Sequence, residues 1–177
     1  MCRRVRAERG FTLIELLMVV AILGVLAAMA IARLDRAKVA SNEASAISSL
    51  RVIDSAEATY AASCGGDGYA QSLEGLATPP SPTAASFISA DLTTTGVLKS
   101  GYLFTLQADP GSTRVLPAAR TCNNVVDSVT AYFAYADPQV YRTTGRRNFA
   151  TDRRAVIFFR NDGMSIAPGM AGANPID

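Results

Sequence analysis

The chain has 177 residues, enough for one modest domain with or without an appendage. Hydrophobic residues make up 49% and charged residues 18%, which excludes an intrinsically disordered chain. It has no histidine, which removes imidazole base catalysis, the Ser-His-Asp triad and imidazole metal ligands. Three cysteines without CxxC spacing exclude a four-cysteine zinc site, and a net charge of +2 disfavours nucleic acid as a partner.

Residues 1–10 read MCRRVRAERG, where Arg3, Arg4, Arg6 and Arg9 outweigh Glu8. The positive excess is confined to this end, since the remaining residues hold 13 basic against 14 acidic side chains. Residues 11–32 then form an apolar run, FTLIELLMVVAILGVLAAMAIA. As a helix this run is about 33 Å long, enough to cross a hydrocarbon core of about 30 Å. The basic flank predicts a cytoplasmic N-terminus, although Arg33, Arg36 and Lys38 weaken the asymmetry. A cleavable secretory signal, a plain signal anchor and a buried core helix are the competing readings. The run is longer than a secretory signal core, and its length and basic flank argue against a buried helix.

Neither the signal nor the plain anchor accounts for Glu15. A carboxylate within a membrane helix costs about 3 kcal/mol and calls for a partner. No Lys or Arg lies within the run. A cut between Gly10 and Phe11 would create an α-ammonium at Phe11, one helical turn from Glu15. That ammonium could neutralise Glu15 on the same chain or on a neighbour.

The segment Gly10-Phe11-Thr12-Leu13-Ile14-Glu15 resembles the class III leader junction of type IV prepilins and pseudopilins. It sits after a short basic leader and before about twenty apolar residues. The resemblance implies cleavage after Gly10 by a prepilin peptidase, N-methylation of Phe11, and Glu15 as the charge that sets subunit register. It implies assembly through Phe11, Leu13, Ile14, Leu16, Leu17, Val20, Ile22, Leu23 and Leu26. Gly24 stands where the family often keeps a glycine, and Ala32 where many members have a helix-kinking proline. The implied function is a type IV pilin, a structural subunit and not an enzyme, that polymerises into an extracellular pilus. Implied partners are other pilin subunits, the peptidase, an inner-membrane assembly platform, a cytoplasmic ATPase and, before assembly, membrane lipid. The alternatives are a minor pilin or type II secretion pseudopilin and, from another class, a signal-anchored periplasmic binding domain.

No Pro precedes Pro79 and no Gly lies between Gly24 and Gly65, so one helix is expected from Phe11 to about Ala62. Val39, Ala46, Leu50, Ile53 and Tyr60 form a stripe that should pack on a sheet, with Asn42, Ser45, Ser48 and Ser49 on the opposite face. The glycine-rich segment at residues 64–68 ends the helix. A connecting loop over 63–100 carries helical turns at 73–77 and 87–92. A sheet region comes next over 101–168, with expected strands at 102–107, 129–136, 155–160 and 164–167. The last two are joined by an Asn161-Asp162-Gly163 hairpin signal. Residues 169–177 form a tail. The expected organisation is leader 1–10, membrane helix 11–32, amphipathic half 33–62 and head 63–177. The fold class is α+β: a long N-terminal helix packed on an antiparallel sheet of about four strands.

Removal of Cys2 with the leader leaves Cys64 and Cys122 as one candidate disulfide, with two buried free thiols as the alternative. A bridge requires an oxidising compartment such as the periplasm or the exterior. Arg142, Arg146, Arg147, Arg153, Arg154 and Arg160 cluster in the last third, as a solvated face or partners of acids in the favoured reading and as a contact for DNA or an anionic surface in the other. Residues 33–100 carry two excess acids and 101–177 two excess bases, which would suit contacts between stacked subunits. No catalytic constellation, metal set or cofactor motif is present in the sequence.

Overall fold

The computed structural model describes residues 10–176, with the side chains of 30–32 left aside. The expected leader residues before Gly10, including Cys2, lie outside the described residues. The chain divides into two compact units, Met1–Ala37 and Lys38–Asp177.

Helix α1 spans Leu13–Ser63, close to the expected bounds. In the first unit its apolar side chains are exposed. In the second unit it buries Ala46, Leu50, Ile53, Ala56 and Tyr60, spaced three and four apart along one face. Val39 is only half-buried. The opposite face is less polar in its role than expected. Ser49 is buried, Asn42 donates to the Thr144 carbonyl at 2.9 Å, and the Ser45 hydroxyl donates to that of Ser100 at 2.9 Å. At the end of α1, the Tyr60 carbonyl accepts both the Cys64 and the Gly65 amides at 2.8 Å. Gly66 and Asp67 then take left-handed φ values of 60° and 66°, which stop the helix.

The fold class is α+β, as expected, but with nine short strands among the described residues, in two antiparallel sheets, where about four were expected. The strands are β1 Tyr69–Ala70, β2 Val97–Lys99, β3 Tyr102–Ala108, β4 Arg114–Leu116, β5 Ser128–Val129, β6 Tyr132–Pro138, β7 Asn148–Asp152, β8 Phe158–Arg160 and β9 Asn174–Pro175. The larger sheet has the order β2-β3-β6-β7-β8-β9 and the smaller β1-β5-β4. The longest pairing runs from Tyr102 opposite Pro138 to Ala108 opposite Tyr132. Along β3, Tyr102, Phe104 and Leu106 are buried and form one core with Leu50, Ile53 and Tyr60 of α1. This is the period of two expected of a sheet face laid against a helix. Short helix α2, Leu73–Ala77, is capped by Ser72 as the first of the two expected turns.

Three local expectations are corrected. Residues 87–92 form no helix: Ile88 and Leu92 are buried, and the Phe87 ring meets Tyr60 edge-on at 5.4 Å. Core filling by an irregular segment outweighs the weak local helical signal. Residues 164–167 form no strand, and the expected strand at 155–160 shrinks to β8. Asp162 does turn the chain, pairing with Arg160 and accepting the Met164 amide at 3.1 Å, but the chain then leaves the sheet edge. Ile166 and Met170 instead cover the second face of the sheet with Phe133 and Ala150. Covered on both sides, β7 reads as a continuous buried run from Asn148 to Thr151.

Candidate assembly interface

The junction lies at the start of α1. Gly10 and Phe11 are exposed and precede the first helical residue, so the peptide bond between them lies outside the helical ladder. Thr12 and Glu15 form a reciprocal cap. The Glu15 Oε2 accepts the Thr12 backbone N–H at 2.9 Å and its hydroxyl at 2.6 Å. The Thr12 Oγ1 accepts the Glu15 N–H at 3.3 Å. The T-x-x-E spacing is that of a capping box, a partner for Glu15 that a search limited to charged groups overlooks. While Gly10 remains attached, no ammonium exists at Phe11, and Thr12 is the partner of Glu15.

Beyond the cap, Leu13, Ile14, Leu16, Leu17, Val20, Ile22, Leu23 and Leu26 are all exposed, as is Phe11 at 76%. Among the described residues α1 is the helix long and apolar enough to cross a membrane. Exposed apolar surface on this scale calls for lipid or other protein around it. Residues 5–31 match the model of the prokaryotic N-terminal methylation motif. This motif, a class III leader, supports a type IV pilin-like or pseudopilin precursor. Leader motif and apolar helix together support a membrane-anchored precursor. The motif ends at residue 31, so the head lies outside it. No curated protein and no solved structure matches the chain.

In the head, Cys64 and Cys122 stand at disulfide distance, with Cα atoms 4.7 Å apart. The arginine cluster splits. Arg147 Nε and Nη2 both donate to Glu43 Oε2 at 2.8 Å, and the Arg146 amide donates to Glu43 Oε1 at 2.9 Å. The Arg147 guanidinium also lies over the rings of Phe149 and Phe159, at 5.3 and 5.5 Å. Arg147 is therefore a half-buried clasp between α1 and the loop before β7, and not a free surface charge. Arg154 and Arg160 pair with Asp152 and Asp162. Arg142, Arg146 and Arg153 are exposed.

Sequence reasoning missed three acids on the sheet-facing side of α1. Besides Glu43, Asp54 Oδ1 accepts the Tyr132 hydroxyl at 2.8 Å and the Thr151 hydroxyl at 3.0 Å. Glu57 is fully buried and accepts the Ala70 amide at 2.8 Å, while its Oε1 has no partner among the described residues. Burial holds both carboxyls above the ordinary carboxylate range, Glu57 well above it. The only signal available in the sequence was their interleaving with the apolar stripe, three or four residues from Ala46, Leu50, Ile53 and Tyr60.

Proposed function

We propose that the chain is a filament subunit of the type IV pilin kind. A prepilin peptidase cuts between Gly10 and Phe11 on the cytoplasmic side and methylates the new amine of Phe11. The head faces the periplasm while the apolar helix is held in the inner membrane. An assembly platform, driven by a cytoplasmic ATPase, then moves the helix out of lipid and into a bundle of like helices. The polymer becomes an extracellular pilus, and the protein itself carries out no chemistry.

One observation supports this reading: a carboxylate one turn from the Gly10-Phe11 bond heads a helix whose large apolar side chains from Leu13 to Met29 are all open. In the uncut chain Thr12 occupies the Glu15 carboxylate. Cutting supplies an ammonium within reach of the same oxygens, and in a low-dielectric stem that charge attracts Glu15 far more strongly than a hydroxyl does. Contact between the Phe11 amine of one subunit and Glu15 of a neighbour fixes their axial register. Burial of Leu13, Leu16, Val20 and Leu23 among other stems supplies the driving force.

The test is mass spectrometry of the N-terminal peptide from cells. Methylated Phe11 supports the assignment; an intact Met1 or a start near Ala30 replaces it with a signal-anchored binding domain or a secreted one. Glu15→Ala should leave processing intact and lower recovery in sheared filaments at least tenfold. Wild-type abundance in those filaments distinguishes a major pilin from a minor pilin or a secretion pseudopilin. The pair Cys64 and Cys122, at disulfide distance, favours the pilin.

A further inference from the structure

Arg142 and Arg146 have no carboxylate partner among the described residues, unlike Arg147, Arg154 and Arg160. Both line one open cleft of about 460 Å³, together with Tyr141 and Asn161. That volume lies in the range of small-molecule sites. Asp162, beside Asn161 in sequence, is taken by Arg160, Asp152 by Arg154, and Asp137 by Asn148 and Ser165, so among the described residues the two charges of the cleft have no paired acid.

The backbone at Arg142 is held in an uncommon state. Its φ is 69°, fixed by its amide donating to the Gly145 carbonyl at 2.7 Å. A Cβ in this region costs about 1 kcal/mol or more, and Gly or Asn would relieve it. The turn fixes where this long cationic side chain leaves the backbone, at the rim of the cleft. The guanidinium lies 5.5 Å above the Tyr141 ring. Tyr141 is itself locked, its hydroxyl donating to the Asn161 carbonyl at 2.6 Å. Gly163 packs so closely on the ring that an added Cβ would come within 3.1 Å of it. With Arg142 over the ring and Gly163 packed against it, Tyr141 is a wall and not a platform for stacking bases. What the cleft offers is two guanidinium forks, whose geometry matches paired phosphate oxygens, and an Asn161 side chain suited to a hydroxyl.

We propose that this cleft binds a phosphate group between Arg142 and Arg146, carried by a polyol phosphate or present as the free anion. The full chain in detergent micelles is dialysed to equilibrium against radiolabelled glycerol phosphate or inorganic phosphate. The expected result is saturable binding that weakens at least tenfold in Arg142→Asn and in Arg146→Gln. Arg153→Gln, an exposed arginine outside the cleft, should leave it unchanged. Tighter binding of glycerol phosphate assigns the ester, and equal binding assigns the free anion. Arg142→Asn also relieves the left-handed backbone, so its Tm should equal or exceed that of the parent. Absence of saturable binding by both probes, or an equal loss in Arg153→Gln, overturns the proposal. A Tm several degrees lower in Arg142→Asn overturns it too, because Arg142 would then serve the fold.

Discussion

Asp54 and Glu57 stand three residues apart on α1 and both turn inward, Asp54 onto the Tyr132 and Thr151 hydroxyls and Glu57 onto the Ala70 amide. Burial raises the proton affinity of both carboxyls, and a neighbouring charge adds to it, Asp54 at Glu57 and Asp152 at Asp54. The folded head therefore binds these protons more tightly than the unfolded chain does.

The head should accordingly lose stability as the pH rises from the ordinary carboxylate range, about 4, toward the folded-state values. Each such group contributes at most about 1.4 kcal/mol per pH unit across that interval. Glu57→Gln keeps an acceptor for the Ala70 amide and cannot ionise. Its Tm should vary less with pH than the parent's and exceed it near pH 8. Thermal melts of the two proteins across pH 4–8 check this; parallel curves would refute it.

The Glu43 clasp makes a second expectation. Its side chain is 9% exposed and takes three donors from Arg146 and Arg147. Glu43→Ala leaves the Arg147 guanidinium over two aromatic rings without its anion. Since Arg147 is 36% exposed, solvent offsets part of the loss. A cost of about 2 kcal/mol is expected, read from denaturant unfolding.

Gly65 should resist substitution. A Cβ there would collide with the Gly68 carbonyl and stand 2.9 Å from the Tyr60 ring. Backbone cannot swing aside as a side-chain tip can. Gly65→Ala should cost about 1–3 kcal/mol by collision, whereas Gly96→Ser, whose Cβ meets nothing within 4 Å, should lose only about 1 kcal/mol to its strained φ of 83°.

Cys64 and Cys122 lie 58 positions apart in sequence. If they are bonded, the chain-entropy model assigns the bridge about 4 kcal/mol. Thiol labelling under denaturing conditions should leave both unmodified until a reductant is added, and the reduced chain should melt at a lower temperature. Labelling without reductant would show two free thiols instead.

The junction, the apolar stem, the unbroken α1 and the α+β class were legible in the sequence. Each depends on local information: a short motif, a run of apolar residues, the absence of Pro and Gly. The Thr12–Glu15 cap was legible too, by its spacing, but weighing only charged partners for Glu15 passes over a hydroxyl three residues away. The signal at Asn161–Gly163 does mark a turn but not a hairpin, because turn chemistry does not say what the next residues will cover.

What the chain alone determined is its N-terminal pattern: the placement of a Gly-Phe bond, a carboxylate and an oily helix depends on residues within a few turns of one another. Only the tertiary structure decided which charges are free. Glu43 and Arg147 are 104 residues apart in sequence and bonded in space, while Arg146, next to Arg147, points its side chain into an open cleft. Pairing of that kind is set by sheet register and by the packing of α1 on β3, which no local pattern encodes.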